Sequence, residues 1–405
     1  MCQEKKMGLD SRIEYLWTMK VRYRAAGRSE KTRLLDEMEK MTGLHRKYLI
    51  ARMNGPGPKR KKPRSRERGR TYGKEVAEAL YFVADTLDWI CAERLKPVLC
   101  STAVHLAKFD EMQVTERLLE QLATISVSTV RRILKRFTRP WPTIPQQRRG
   151  RPPDSVVQAM VPQGKIPWDE PEHFEVDHVI HGAPQKGSKV VSTCHFVDVL
   201  TGWSERFAVY DGHEFPDVWP VFLDFAERCP IPVREIHSDN GSEFLNQALI
   251  SHYAYLGDGI RVSRNRPGYK NDNRIVEQKN STLVRAYLGQ LRFDSPAHCQ
   301  ALNELYENMW LYYNFFQPVL RQTSRRAVRS ANGTVRIVRK HDTATTPLQR
   351  LLCAKPPISR GTVDALLELY HETNPRQLRD TIHNQIMMLR EIAREPEALS
   401  IRLSR

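Results

Sequence analysis

Residues 231–244 read IPVREIHSDNGSEF, and the fold class turns on how they divide. The run from Ile231 to Ile236 has the apolar, β-branched character of a short buried strand. Asp239 ends it, Asn240-Gly241 turns the chain, and a helical pattern starts at Ser242. A carboxylate at a strand end is either a turn former or a ligand, and the flanking segments decide between the two. Upstream, HFEVDHVIHG (173–182), KVVSTCHFVDVLTGW (189–203) and SERFAVY (204–210) are rich in β-branched and aromatic residues and are separated by Gly-containing turns. That is the pattern of an antiparallel meander. An amphipathic helix over 214–228 leads into the strand PVREIH. Downstream come the helix SEFLNQALISHYAYLG, the strand GIRVSRN, the loop RPGYKND and the helix NRIVEQKNSTLVRAYLGQL. The order βββαβαβα predicts an α/β core over 170–320, a mixed five-stranded sheet with helices on both faces. A further helix over 295–316 brings Trp310, Tyr312, Tyr313, Phe315 and Phe316 to that core.

The flanks read differently. Residues 139–169 open with RPWPTIPQQRRGRPP, a Pro- and Arg-rich linker and the clearest domain boundary in the chain. Before it, 73–138 reads as a helical, helix-turn-helix-like DNA-binding unit. In ATISVSTVRRILKRF (123–137), Ser126 or Ser128 caps a helix whose inner face is Val130, Ile133 and Leu134. Its outer face is Arg131, Arg132, Lys135 and Arg136. Residues 1–55 carry apolar positions at helical spacing, Ile13, Leu16, Trp17 and Met19, then Leu34, Leu35, Met38 and Met41. TGLHRKYLIARMNG then reads as a turn at Thr42-Gly43 and a helix with Leu44, Tyr48 and Leu49 inward and Arg46, Lys47 and Arg52 outward. This is the outline of a helix-turn-helix; a small bundle with a solvated basic face is the blander alternative. Between the two units, residues 56–72 form a basic linker with Lys59, Arg60, Lys61 and Lys62 at its head, suited to lie along phosphates. After the core, 321–405 reads as a basic β-hairpin with an Asn-Gly turn (327–341) and a helical tail.

The charge balance supports that organisation. The 405 residues carry 64 Lys and Arg against 47 Asp and Glu, a net charge of +17. Residues 1–70 alone hold 21 basic and 8 acidic side chains, so most of the excess lies at the amino end. Such an excess favours polyanionic partners, nucleic acid first. The seven cysteines form no Cys-x-x-Cys pair, which argues against a disulfide framework and a cysteine-rich zinc site. No apolar run approaches the ~20 residues of a membrane span, and the amino terminus lacks the apolar core of a secretory signal. A soluble cytoplasmic, nucleoid-associated protein with no membrane partner is expected.

Three acids stand out by position. Asp177 lies inside the first strand, Asp239 ends the fourth, and Glu277 lies one turn into the helix after the Arg-Pro-Gly loop. With a 3-2-1-4-5 strand order, the first and fourth strands are neighbours, and the late helix packs beside them. Carboxylates brought so close repel and raise one another's pKa unless cations neutralise them. Hard oxygen ligands with open positions suit Mg²⁺, and a pair of such ions serves in-line displacement at phosphorus. Rival acids have other readings. Asp198 is a salt-bridge or turn residue, Asp272 a helix cap or first-turn acid before Arg274, and Glu175 points to the sheet face opposite its immediate strand neighbours. Glu243, near Asp239, is a further rival, and His178, His181 and His237 are given no ligand role.

FEVDHV, TGW, IHSDNGSEF and RPGYKNDNRIVEQKN together resemble the DDE integrase-type transposases of bacterial insertion sequences, relatives of retroviral integrases. The resemblance covers 170–320 and implies a ribonuclease H-like catalytic core. It implies that Asp177, Asp239 and Glu277 are the catalytic triad, binding two Mg²⁺ with Mn²⁺ substituting. It implies polar contacts to DNA ends from Asn273 and Asn280, with Lys270, Lys279 and Arg285 as phosphate contacts. The activity implied is 3′-end cleavage and strand transfer of a mobile element. The partners implied are double-stranded DNA, at terminal repeats and target, and further copies of the chain in a synaptic complex. Ser281 stands where integrases often carry Lys, and their His/Cys zinc module has no counterpart here. Two other readings stay open: a sequence-specific DNA-binding regulator with a non-catalytic core, and a nuclease acting on RNA–DNA hybrids.

Overall fold

The computed structural model describes residues 7–58, 71–137, 170–182, 189–211, 215–239, 259–266, 272–329, 335–355 and 358–393. The chain divides into two compact units, Met1–Thr71 and Tyr72–Arg405.

The first unit holds α1 (Leu9–Ala25), α2 (Arg28–Thr42) and α3 (Arg46–Asn54). Leu16, Met19, Leu34, Leu35, Met38, Leu49 and Met53 close its core. Gly43 ends α2 at φ 65°, where a side chain would be strained, and its amide donates to Glu39 O at 2.8 Å. After three intervening residues α3 begins, with its first turn held by the His45 imidazole accepting from Lys47 N. Tyr48, expected on the buried stripe, is exposed, with the Arg52 guanidinium 4.9 Å from its ring centroid. Met53 takes the inner position, because at 3.6 residues per turn it shares a face with Leu49 and Tyr48 does not.

The second unit begins with α4 (Lys74–Thr86), α5 (Ala92–Ala107), α6 (Glu116–Thr124) and α7 (Val127–Leu134). Of the two cap candidates Ser126 is the one used, accepting from Thr129 N at 3.2 Å. Then follows one sheet of β1 (His173–Ile180), β2 (Val191–Asp198), β3 (Ser204–Tyr210), β4 (Glu235–Ser238) and β5 (Arg261–Arg264), ordered β3-β2-β1-β4-β5. The meander pairs antiparallel; β1–β4 and β4–β5 pair parallel. The mixed sheet expected from the element order is present.

Every residue of β2 is buried, because both faces of the sheet are covered. Phe196 points to one face, where α8 (Phe215–Arg228) brings Phe222 and Phe225, the last stacked on Phe196 at 4.1 Å. Thr193 and His195 point to the other. There α9 (Arg274–Lys279) runs on through a π-helical stretch, Asn280–Arg285, and a last turn, Ala286–Leu288. Beside it lies α10 (Pro296–Leu311), whose Tyr306 hydroxyl meets Thr193. Truncating Phe196 to Ala would cost about 3–5 kcal/mol by emptying the centre of the first face.

Beyond a second π-helical stretch, Tyr312–Phe316, the chain makes the hairpin β6 (Gln322–Arg329) and β7 (Val335–His341). The Asn332-Gly333 turn expected at its tip lies outside the described residues. The helices α11 (Pro347–Leu352), α12 (Arg360–Glu372) and α13 (Pro375–Ile392) complete the unit. None of the described helices is long and apolar enough to cross a membrane.

The block α4–α7 and the sheet share one buried core, so residues 73–138 are not divided from 170–320 as the linker between them suggests. The joint is polar and specific. Tyr312 donates to Thr86 O at 2.6 Å, Gln317 to Leu87 O at 3.0 Å, and Arg94 to Pro318 O at 2.6 Å. Arg379 of α13 reaches Asp85 at 3.2 Å and Asp88 at 3.3 Å. Asp88 and Trp89 both sit in the left-handed region, φ 52° and 54°, a strain of about 1–3 kcal/mol each. Trp89 N donating to Ala84 O, Trp89 Nε1 donating to Asp85 and the Arg379 clamp hold them there. Thus α13 ties the α4–α7 block to the core.

Candidate active site

Strand pairing assembles the site. Val176 of β1 is in register with Ser238 of β4, so Asp177 and Asp239 each stand one residue past the last parallel pair. Glu277 approaches on α9, which is fastened to β1 at its start. Glu175 is buried, two residues from Asp177 and on the same face. Its Oε2 accepts the amides of Ile275 and Val276 at 2.7 and 2.8 Å, taking up N–H groups that the first turn leaves without helical partners. Asn273 adds a bond from Nδ2 to Val176 O at 3.1 Å.

The three acids feel one another's charge. The Asp177 carboxyl is pushed up to about 8, by burial first and Asp239 next, against the His178 amide and Asn280; Glu277 pushes it further. Glu277 is raised by burial and then by Asp239. Glu175 also stands at about 8, through burial chiefly, with the two helix amides opposing. Among the described residues no group of three or more His, Cys, Asp or Glu side chains is gathered closely enough to hold a metal ion. In chemistry the three fit a hard divalent cation: all donors are carboxylate oxygens, and they repel.

Asp177 is oriented by a chain of side chains. Its Oδ1 accepts the His178 amide at 2.9 Å and its Oδ2 accepts from Asn280 Nδ2 at 2.7 Å. That leaves Asn280 Oδ1 to accept from His195 Nδ1 at 2.6 Å, and His195 Nε2 to accept from the Ser204 hydroxyl at 2.7 Å. Burial holds His195 well below its ordinary pKa, so it is neutral, with the proton on Nδ1.

Asn273 and Asn280, expected at DNA, are therefore turned inward and bonded within the fold. Lys279 also departs from expectation. It lies over the Tyr313 ring at 4.8 Å, and burial with Arg94, Arg350 and Arg206 nearby brings its ammonium down to about 7. Arg285 is half-buried, and its charge helps hold His181 to about 3, after burial. Arg46 pairs with Asp36 of α2 and Arg131 with Glu93 of α5, while Lys47, Arg132 and Lys135 are exposed. Lys59, Arg60, Lys61, Lys62, Lys270, Asn240, Gly241 and Glu243 lie outside the described residues.

The rival acids have structural partners. Asp198 accepts from Thr201 N and Oγ1, both at 2.7 Å, and from Glu172 N at 3.0 Å, so it is a turn residue. Asp272 does not cap α9; it pairs with both arms of Arg266 at 2.8 Å. His181 bonds Thr193, and His237 bonds Ser263 and Asn265. Glu175, His195 and Ser204 went unassigned in the sequence, although the two-residue step from Glu175 to Asp177 places both on one face.

No family model matches the chain. It is similar to the uncharacterized protein y4rM of Sinorhizobium fredii (strain NBRC 101917 / NGR234), with 29% identity over 354 residues, 86% of this chain and 97% of that one. Among solved structures it has a likeness to a chain in the cryoEM structure of a simian T-cell lymphotropic virus intasome in complex with PP2A regulatory subunit B56 gamma. Identity there is 15%, over 53% of this chain and 70% of the other; the TM-score of 0.28 is too low to support a shared fold.

Proposed function

We propose that the protein is a DNA transposase of the integrase type, with a ribonuclease H-like core that cleaves the 3′ ends of a mobile DNA element and joins them to target DNA. Supporting it, Asp177 and Asp239 stand on the parallel neighbours β1 and β4, Glu277 rides the helix fastened to β1, and Asp239 raises the carboxyls of the other two. Held by these carboxylates, two Mg²⁺ ions, with Mn²⁺ as substitute, would neutralise the repulsion and stabilise the oxygens entering and leaving phosphorus.

The chain's own residues do the positioning. Asn280, backed by His195 and Ser204, holds Asp177 in one rotamer. Glu175 and Asn273 fix the first turn of α9 against β1 and so place Glu277. In the first reaction a water oxygen bonds to phosphorus while the bond from phosphorus to the element's 3′ oxygen breaks; that oxygen takes up a proton from the water as a 3′-hydroxyl, and the 5′-phosphate stays on the flanking strand. In the second that hydroxyl oxygen attacks a target phosphodiester, and the target's 3′ oxygen leaves. Water and hydroxyl attack directly, so no covalent protein–DNA link forms. The exposed Lys47, Arg132 and Lys135 supply phosphate contacts to double-stranded DNA, and joining two ends calls for more than one copy of the chain.

The test is cleavage of DNA carrying the element's own ends, with Mg²⁺, by the wild type beside Asp239→Asn. Equal DNA binding with cleavage by the wild type alone is expected. Binding by both proteins with cleavage by neither would replace this reading with a DNA-binding regulator.

A further inference from the structure

On the far side of α9 from Glu277 lies a cavity of about 610 Å³, within the size range of small-molecule sites. Lys279, Arg94 and Arg390 line it, together with Trp89, Tyr287 and Tyr313. Its charge is unbalanced. Asp88 is the one carboxylate among the described lining residues, and it is already engaged by His383 at 2.9 Å, Arg379 at 3.3 Å and the Tyr287 hydroxyl at 2.5 Å. Arg94 donates to neutral acceptors, Pro318 O and Gln317 Oε1. The Lys279 ammonium has only the Tyr313 ring beneath it and no carboxylate partner among the described residues.

The surroundings add to the imbalance. Arg206, 3% exposed, donates to Leu283 O on the cavity wall at 3.4 Å, while its Nε and Nη2 have no partner. The buried Tyr313 hydroxyl is also without one. Gathered cations with so little counter-charge among the described residues are costly unless an anion joins them. The aromatic side chains in the wall favour a flat ring. Asp88 and Trp89, the pair held in left-handed backbone, belong to the same wall, and such strain concentrates where ligands are clamped.

We propose that this cavity is a nucleotide site, with the phosphate between Lys279 and Arg94 and the base on the wall formed by Trp89 and Tyr287. The occupant is either a free nucleotide or the unpaired terminal nucleotide of a DNA strand, since both present the same phosphate and base. The site does not depend on the carboxylate chemistry across the helix.

The experiment uses the full chain. Lys279 is acylated with an amine-reactive reagent and read by mass spectrometry, alone and with deoxyadenosine monophosphate, with inorganic phosphate, or with a duplex carrying a short single-stranded overhang. Protection of Lys279 by the mononucleotide assigns the site to a free nucleotide, and protection by the overhang alone assigns it to a DNA end. Protection by neither, or equal protection by inorganic phosphate, overturns the proposal. Equilibrium dialysis of the protecting ligand against Lys279→Gln should show at least tenfold weaker binding, whereas Lys74→Gln, an exposed control on α4, should leave it unchanged. Undiminished binding by a folded Lys279→Gln protein also overturns it.

Discussion

Replacing Asp239 by Asn should raise the stability of the metal-free protein at alkaline pH while abolishing cleavage, and the direction follows from Asp177. Its carboxyl stands at about 8 against an ordinary 3.8. Between those values the folded chain keeps a proton that the unfolded chain releases, so stability falls as pH rises through that window and levels off above it. Burial is the largest cause and Asp239 the second. Asp239 also raises Glu277, so the substitution relieves both acids, by on the order of 1 kcal/mol for like charges facing one another across a partly solvated site. Without Asp239's charge, Asp177 ionises at lower pH and the decline ends sooner. Wild type and Asp239→Asn should therefore melt alike near pH 5, with the variant higher by about 2 °C at pH 8. The assay is thermal unfolding with a chelator present at both pH values. An Asp239→Asn protein that melts at or below the wild type at pH 8 would refute the mutual repulsion.

Glu175→Ala leaves two amides at the start of α9 without acceptors and opens a hole behind Asp177, so a loss of about 3–5 kcal/mol is expected in chemical denaturation, and Glu175→Gln should lose less. Arg379→Met removes the cation shared by Asp85 and Asp88, and the same measurement should show a loss of about 3–5 kcal/mol. Lys135→Gln, at an exposed position, should leave melting unchanged while lowering by about one the slope of log DNA affinity against log salt.

The part of the fold that repeats along the chain was readable from the chain. Alternating β-branched runs marked β1, β2 and β3, and the strand ending at Asp239 turned a meander into a mixed sheet. The positions of Asp239 just past β4 and of Glu277 in the first turn of α9 follow from the same local pattern, because strand ends and first helical turns are local features. Contacts made across the fold were not. Asn273 and Asn280 share a helix with Glu277, and their spacing says nothing about whether they face DNA or Val176 and Asp177. Glu175 looked like one more strand residue because the amides it accepts arrive from a helix about a hundred residues later. Lys279 reads as a surface cation until Arg94 and Tyr313, from distant segments, are seen to enclose it. The proline-rich stretch after Phe137 suggested a divided chain, but α13 closes that division from the other end through Arg379.

The central claim is that Asp177, Asp239 and Glu277 act together on divalent cations. Titration of Mn²⁺ into the full chain at pH 7, followed by calorimetry in buffers of different ionisation enthalpy, tests it most directly. The expected result is binding accompanied by proton release, since Asp177 carries a proton at that pH, and at least tenfold weaker binding in each of Asp177→Asn, Asp239→Asn and Glu277→Gln. No binding at millimolar Mn²⁺, or binding that any one of the three substitutions leaves unchanged, would contradict it.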